Sequence, residues 1–349
     1  MYTVYSQSKD DSFPSSKIIM LVTQEPILRR FWYPVIPLDQ IQSEPKHFQL
    51  LGENLVLWTD QSGHSKAAKD RCCHRSAQLS LGKVENGNLV CPYHGWTFEG
   101  SGSCVRVPQL EDQEKIPKTY RIETYWCQSR YGYAWVCLGE NPLADIPEIP
   151  EASDPEFRCI PEFYEPWHCA GLRVMENELD LAHPTFVHTG TFGSEEHPVP
   201  DEMDITETEY GLTMKAVLGV VNPEQQQKNL KMSESQTVRT LDIDWFLPFT
   251  CKLRINYPNG LVHIIVNTAT PINDGTSQIV QFCLRNDTEA DTKAADAKAF
   301  DRAVTLEDKA ILETTDYDVP LDISQEQHMT TDKPGILMRR RFASLFKNH

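Results

Sequence analysis

From residue 31 onward, apolar residues come in short runs separated by turn residues rather than in long stretches. Phe31-Trp32-Tyr33-Pro34-Val35-Ile36, His47-Phe48-Gln49-Leu50-Leu51, Leu55-Val56-Leu57-Trp58 and Tyr131-Gly132-Tyr133-Ala134-Trp135-Val136-Cys137-Leu138 are rich in aromatic and aliphatic side chains. Such runs predict short antiparallel strands that close a small barrel or sandwich. Asn141 to Pro150 is proline-rich and acidic, which predicts an extended connector. Beyond it two periods mix. Leu261 to Val266 and Ile279 to Leu284 read as strands, with Asp274-Gly275 as a turn between them. Over Thr292 to Glu313 the residues Ala294, Ala297, Phe300, Ala303, Val304, Ile311 and Leu312 fall near one face of a helix. The predicted fold class is α+β: an N-terminal all-β domain, then a C-terminal domain of helices and antiparallel sheet. The predicted divisions are a loose polar extension over 1–26, a first domain over 27–143, a linker over 144–160 and a second domain over 161–349.

Val84-Glu85-Asn86-Gly87-Asn88-Leu89-Val90 is a hairpin signal, because Asn-Gly suits a two-residue turn between strands. It brings together Asp70-Arg71-Cys72-Cys73-His74-Arg75 and Cys91-Pro92-Tyr93-His94-Gly95-Trp96. Cys72, His74, Cys91 and His94 form two short claws that can hold zinc or an iron–sulfur cluster. Zinc ribbons usually repeat Cys-x-x-Cys, which this stretch lacks. Two Cys on one iron and two His on the other is the Rieske form of [2Fe–2S] ligation, and the pattern favours it. Gly100-Ser101-Gly102 suits a close-approaching loop beneath such a cluster.

A second constellation lies at Asn177-x-x-Asp180-x-x-His183-x4-His188. On a helix Asn177, Asp180 and His183 share a face. Pro184 must end or kink that helix, which turns His188 back toward His183. Two His with one carboxylate make the facial triad of a non-haem Fe(II) site. Glu307 and Asp308 are the candidates for the carboxylate. Asp308 has Val304, Ile311 and Leu312 around it on the helix, where an ionised carboxylate is costly unless paired or metal-bound, so Asp308 is the choice.

At 349 residues the chain is long enough for two domains. A formal net charge of −17 and a pI near 5.1 argue against a nucleic-acid partner and against docking on an anionic membrane. No apolar run approaches the roughly 20 residues of a membrane span. Met1-Tyr2-Thr3-Val4-Tyr5 does not read as a secretory leader. The ten Cys show no disulfide framework and read as reduced thiols in a cytoplasmic protein. Neither GxGxxG nor a Walker motif is present, so nucleotide is not bound by those devices. Arg254, in Lys252-Leu253-Arg254-Ile255-Asn256, reads either as a partner for an anionic substrate or as a solvated strand residue.

After about residue 27 nearly the whole chain resembles the oxygenase components of the Rieske non-haem iron oxygenases. The claws match that family's C-x-H and C-x-x-H segments, and residues 177–188 match its N-x-x-D-x-x-H-x4-H motif. Single-chain-type monooxygenases and demethylases, such as the methylxanthine N-demethylases, are similar at Leu28 to Pro34, Asp70 to Ala77 and His188 to Thr191. Cys73 departs from the proline or alanine common between the first two ligands. The resemblance implies a [2Fe–2S] cluster at Cys72, His74, Cys91 and His94, and a mononuclear Fe(II) at His183, His188 and Asp308. It implies a separate NAD(P)H-dependent reductase, with or without a ferredoxin, that supplies electrons for O2 activation. The implied reaction is hydroxylation or oxidative demethylation of a small, often heterocyclic, substrate by a homotrimer. Asp180, with Asn177 in the same motif, is implied to bridge a neighbouring subunit's cluster His to an iron His. Two other functions fit the pattern: a Rieske electron carrier with a non-catalytic second domain, and a ring dihydroxylase. A carrier needs no second iron, so His183, His188 and Asp308 discriminate against it.

Overall fold

Asn86 and Gly87 both take positive φ, 51° and 75°, as a type I′ hairpin requires. A Cβ on Gly87 would lie 2.0 Å from the Gln61 amide nitrogen, so the turn admits only glycine there. This turn joins β5 (Lys83–Glu85) to β6 (Asn88–Val90) in a four-stranded antiparallel sheet that continues through β7 (Thr97–Phe98) and β8 (Cys104–Arg106). The computed structural model describes residues 19–193, 195 and 198–347. Beside the small sheet stands a six-stranded antiparallel sheet in the order β1-β10-β9-β4-β3-β2. Its strands are β1 (Tyr33–Pro37), β2 (Lys46–Leu50), β3 (Glu53–Thr59), β4 (Ser65–Lys69), β9 (Thr124–Arg130) and β10 (Tyr133–Cys137). Trp58 of β3 is buried between the two sheets and donates to the Gly87 carbonyl at 3.2 Å, which pins the hairpin carrying the second claw.

The second half is built on a seven-stranded antiparallel sheet in the order β11-β17-β16-β15-β14-β13-β12. These strands are β11 (Arg158–Trp167), β12 (Glu202–Thr208), β13 (Gly211–Val221), β14 (Gln236–Phe246), β15 (Thr250–Asn256), β16 (Val262–Asn273) and β17 (Thr276–Arg285). Helices α1 (Gly171–Leu179), α4 (Ala294–Leu312) and α5 (Lys333–Lys347) pack against it, with shorter α2 (Pro184–Val187) and α3 (Glu224–Leu230) in the connections. Strand β14 alternates cleanly: Arg239, Leu241, Ile243 and Trp245 are buried, while Val238 and Thr240 are exposed. The fold is thus α+β with both sheet systems antiparallel. They are joined by backbone bonds from Leu51 to Pro271 and Gly52 to Ile272, both 2.9 Å, and by Thr270 Oγ1 donating to the Pro34 carbonyl at 2.7 Å. Among the described residues no helix is long and apolar enough to cross a membrane.

Three expectations are corrected. The extension was read as loose to residue 26, yet Met20 and Val22 are buried in the main core and Met20 N donates to Val319 O at 3.1 Å. Thr23 donates through its amide and hydroxyl to Asp274 at 2.9 and 2.8 Å. Their apolar side chains supply burial that the polar surroundings masked; residues 1–18 lie outside the described residues. Next, the helix read as running to Pro184 ends at Leu179, because Asp180 is already extended (φ −89°, ψ 121°). Pro184 instead occupies the first turn of α2, where its missing N–H costs nothing. Finally, α4 buries Ala297, Asp301, Thr305 and Leu312, while Ala303 is exposed and Ile311 is 53% exposed. The inward face is mixed because it covers a partly polar cavity, not a uniform core.

One cluster locks the end of α1 that leads into the second constellation. Arg339 of α5 bonds Glu176 and, at 2.5 Å, Glu326; Arg173 bonds the same two carboxylates at 2.7 and 2.5 Å. The pair of guanidinium groups holds the Glu326 carboxyl down, to about 2, despite partial burial. Arg339→Met should therefore cost about 2–4 kcal/mol, since it strands half-buried charge. Urea unfolding checks this, with a lower midpoint at unchanged slope.

Candidate metal centres and active-site cavity

The two claws are near copies in backbone geometry. Cys72 N donates to Ala77 O and Ser76 N to Cys72 O; Cys91 N donates to Trp96 O and Gly95 N to Cys91 O, all between 2.8 and 3.1 Å. Ser76 and Gly95, each four residues past its Cys, both take the left-handed conformation (φ 59° and 72°). Each loop therefore folds over its own cysteine and projects a histidine. Cys72 and Cys91 are buried, and the His74 and His94 rings lie 4.5 Å apart. Trp96 stacks on His74 at 4.4 Å and is tied through Gln109 to the His94 carbonyl, at 3.2 and 3.0 Å. Asp70 anchors the first claw by accepting from the Ser80 amide and hydroxyl at 2.7 and 2.6 Å.

These donors suit a two-iron cluster. Burial, with Cys91 beside it, pushes the Cys72 thiol up to about 12, so that sulfur ionises only against a strong positive centre. Among the described residues buried His74 Nδ1 has no hydrogen-bond partner. Among the described residues the four do not gather within 4.8 Å of one another, as the donors of a single tetrahedral zinc would.

In the second half His183, His188 and Asp308 do gather so, with one ligand atom from each inside 4.8 Å. The two Nε2 atoms are 3.3 Å apart, and Asp308 Oδ1 lies 3.4 and 3.3 Å from them. His183 precedes α2 and His188 follows it, so one short helix turns both rings inward. Among the described residues buried Asp308 Oδ1 has no polar partner other than these two imidazoles. Burial alone would lower the His183 pKa; the bond and charge of Asp308, with Asp180, outweigh it and raise it. At His188 burial prevails and the pKa falls. Burial and the Asp308 charge push the nearby Glu178 carboxyl up to about 7. An unmatched negative potential around three converging donors fits a divalent cation.

Glu307 does something else. Its Oε2 accepts from His188 Nδ1 at 2.9 Å and from Thr191 Oγ1 at 2.8 Å. That bond leaves Nε2 of His188 free for a metal. Asp180 stands apart from the converging atoms: its Oδ1 accepts from Ala182 N at 2.8 Å, and its Oδ2 lies 3.7 Å from His183 Nδ1 with the side chain 34% exposed. Asn177, on the last turn of α1, lines the same cavity as Asp180.

Residues 31–125 match the Rieske [2Fe–2S] domain, and residues 167–348 match the vanillate O-demethylase oxygenase C-terminal domain. The chain belongs to the Rieske non-haem iron oxygenases. It is 28% identical to the methylxanthine N1-demethylase NdmA of Pseudomonas putida over 333 residues, 92% of this chain and 90% of that protein. The structure of NdmA with caffeine superposes with a TM-score of 0.80 at 26% identity over 93% of each chain. Dicamba monooxygenase bound to dicamba shares the fold, with a TM-score of 0.76 at 21% identity over 92% of this chain and 98% of that one. As a Rieske oxygenase the protein is an oxidoreductase that uses a [2Fe–2S] cluster, a mononuclear iron and O2. Enzymes of this family work with separate electron-supplying proteins.

The oxygenase's cavity opens beside the triad between the large sheet and α4, walled by Leu241, Ile243, Ile255, Phe300 and Val304. Its floor is polar. Glu162, His263, Cys283 and Asp301 are all buried and lie within 4.8 Å of one another. His263 Nε2 is 3.2 Å from Asp301, while Gln281 donates to Glu162 at 2.6 Å. Burial and the Asp301 charge raise the Glu162 pKa, while His263 holds the Asp301 pKa down against its burial. Arg254, read as a possible substrate partner, does not line this cavity. It points to the other sheet face and bonds Glu151 at 3.0 Å, whereas its neighbours Leu253 and Ile255 face in. The cation that does line the cavity, Arg239, was missed, although its two-residue spacing from Leu241, Ile243 and Trp245 marks the inner face.

Proposed function

We propose that this chain is the terminal component of a Rieske monooxygenase that hydroxylates or oxidatively demethylates a small cyclic organic molecule. Its cluster is held by Cys72, His74, Cys91 and His94, and its iron by His183, His188 and Asp308. The observation that carries the reading is the convergence of those three donors on the wall of a cavity with an aliphatic side. The cluster supplies single electrons, and the iron when bound supplies O2 activation for attack on a C–H bond. Around it, Glu307 and Thr191 fix the His188 tautomer, and the aliphatic wall orients the substrate and excludes water. A separate NAD(P)H-dependent reductase, directly or through a ferredoxin, provides the electrons.

The proposal extends to a cytoplasmic homotrimer in which the cluster of one subunit faces the iron of the next. Leu81 and Tyr93 beside the claws are 71% and 64% exposed, and Phe186 beside the triad is 65% exposed, so apolar surface at both ends favours a head-to-tail contact. Asp180 then accepts from an imidazole on each side of the boundary, its half-open position leaving an oxygen for the neighbour. Turnover of a panel of methylated and unmethylated ring compounds with a surrogate reductase under isotopically labelled O2 tests the reading. The expected product carries one labelled oxygen, or is demethylated with release of formaldehyde. A cis-diol carrying both oxygens, or reductase oxidation with no oxygenated product, contradicts it.

A further inference from the structure

The cavity contains a charge that neither metal centre uses. Arg239 of β14 is 4% exposed, and its guanidinium lies 5.1 Å from the ring centres of both Phe192 and Tyr257. Among the described residues its hydrogen-bond partner is Asn222 Oδ1, 3.1 Å from Nη2, while its Nε is buried with no acceptor. Among the same residues no carboxylate lies within ion-pair distance of it. A guanidinium does not give up its proton, and a buried unpaired cation is costly.

The surrounding carboxylates are taken. Asp301 faces His263 at 3.2 Å, Glu162 accepts from Gln281 at 2.6 Å, and Glu178 accepts from Asn267 at 2.8 Å. Asp308 lies between His183 and His188. The other buried guanidinium at this end, Arg285, is closed by Asp287 at 2.6 Å. Arg239 is therefore a cation whose open side is the cavity. Phe192 links it to the triad, since the same ring stacks on His188 at 4.9 Å. Arg239 and His188 thus both lie against the Phe192 ring, 5.1 and 4.9 Å from its centre, and all three line the same cavity.

We propose that the substrate is a small ring acid whose carboxylate pairs with Arg239 while its reacting carbon reaches the His183, His188 and Asp308 end. This rests on the oxygenase reading and names its substrate class. The guanidinium fork matches a carboxylate, and Leu241, Ile243 and Ile255 hold the ring between the two ends.

Calorimetric titration of the metal-loaded protein with benzoate, para-methylbenzoate and para-methoxybenzoate, each against its primary amide, tests this without turnover. Wild-type protein should bind the acids roughly 10–100-fold more tightly than the amides. Arg239→Gln should lose that preference while keeping amide binding and the cluster's visible absorption, and Arg239→Lys should keep part of it. Should the Gln variant fail to fold, the wild-type comparison decides alone. Equal affinity for acids and amides, no binding of any of the acids, or a preference that survives in Arg239→Gln overturns the proposal. Acids that bind through Arg239 while neither acids nor neutral rings are oxidised count against the oxygenase reading and leave the carboxylate site standing. Neutral rings oxidised as efficiently as acids do the reverse.

Discussion

Asp308→Ala protein should purify with the cluster's visible absorption intact, without mononuclear iron, and with no product above background. Asp308 Oδ1 lies 3.4 and 3.3 Å from the two imidazole Nε2 atoms, so it closes the triad; removing it leaves two neutral nitrogens, too weak a set for a divalent ion. Glu307→Ala separates the neighbouring carboxylate from this role. It leaves all three donors in place but frees the His188 ring and the Thr191 hydroxyl. Supporting carboxylates of this kind typically contribute about 10–100-fold in metal affinity or activity, so the variant should bind iron more weakly and remain active. Iron analysis and product formation on both variants check the pair. Iron retained in Asp308→Ala and lost in Glu307→Ala would reverse the assignment.

Asp180→Asn should keep both metals and the assembly, yet its pre-reduced cluster should re-oxidise far more slowly with O2 and substrate than wild type. Asn has nearly the same shape but lacks the charge that holds imidazole N–H groups. Among the described residues His183 Nδ1, 3.7 Å from the Asp180 carboxylate, has no hydrogen-bond partner, so the variant loses its alignment at that ring first. Each charge-assisted hydrogen bond weakened is worth about 1.5–3 kcal/mol. Rapid-mixing absorbance reads the effect, and wild-type re-oxidation in a fully metallated variant contradicts the bridging role. Turnover by monomeric wild-type protein refutes the cross-subunit arrangement itself.

The way each of the two candidate constellations is brought together was legible because its geometry is local. Cys72, His74, Cys91 and His94 sit on two short loops, and an Asn-Gly turn between them leaves the chain little choice but to bring the loops together. His183 and His188 are likewise set by one proline-started turn. What was misread depended on tertiary context. Pro184 can end one helix or begin another, and only the extended backbone at Asp180 shows which. Helix α4 looked apolar on one face, but packing over a polar floor turned Asp301, Thr305 and Asp308 inward and left Ile311 in solvent. Arg239 and Arg254 are both arginines on amphipathic strands. Which of them faces the cavity depends on the pleat of the whole sheet, and alternation with Leu241 and Ile243 was the available sign.

The central claim is two metal centres of different ligand type in one chain. Iron and acid-labile sulfide analysis tests it most directly, made on the wild type and on a variant with both His183 and His188 changed to Ala. Two irons and two sulfides for the cluster plus one further iron are expected in the wild type, with only the further iron lost in the variant. Zinc without sulfide in the wild type, or loss of the cluster's iron and sulfide in the variant, would contradict it.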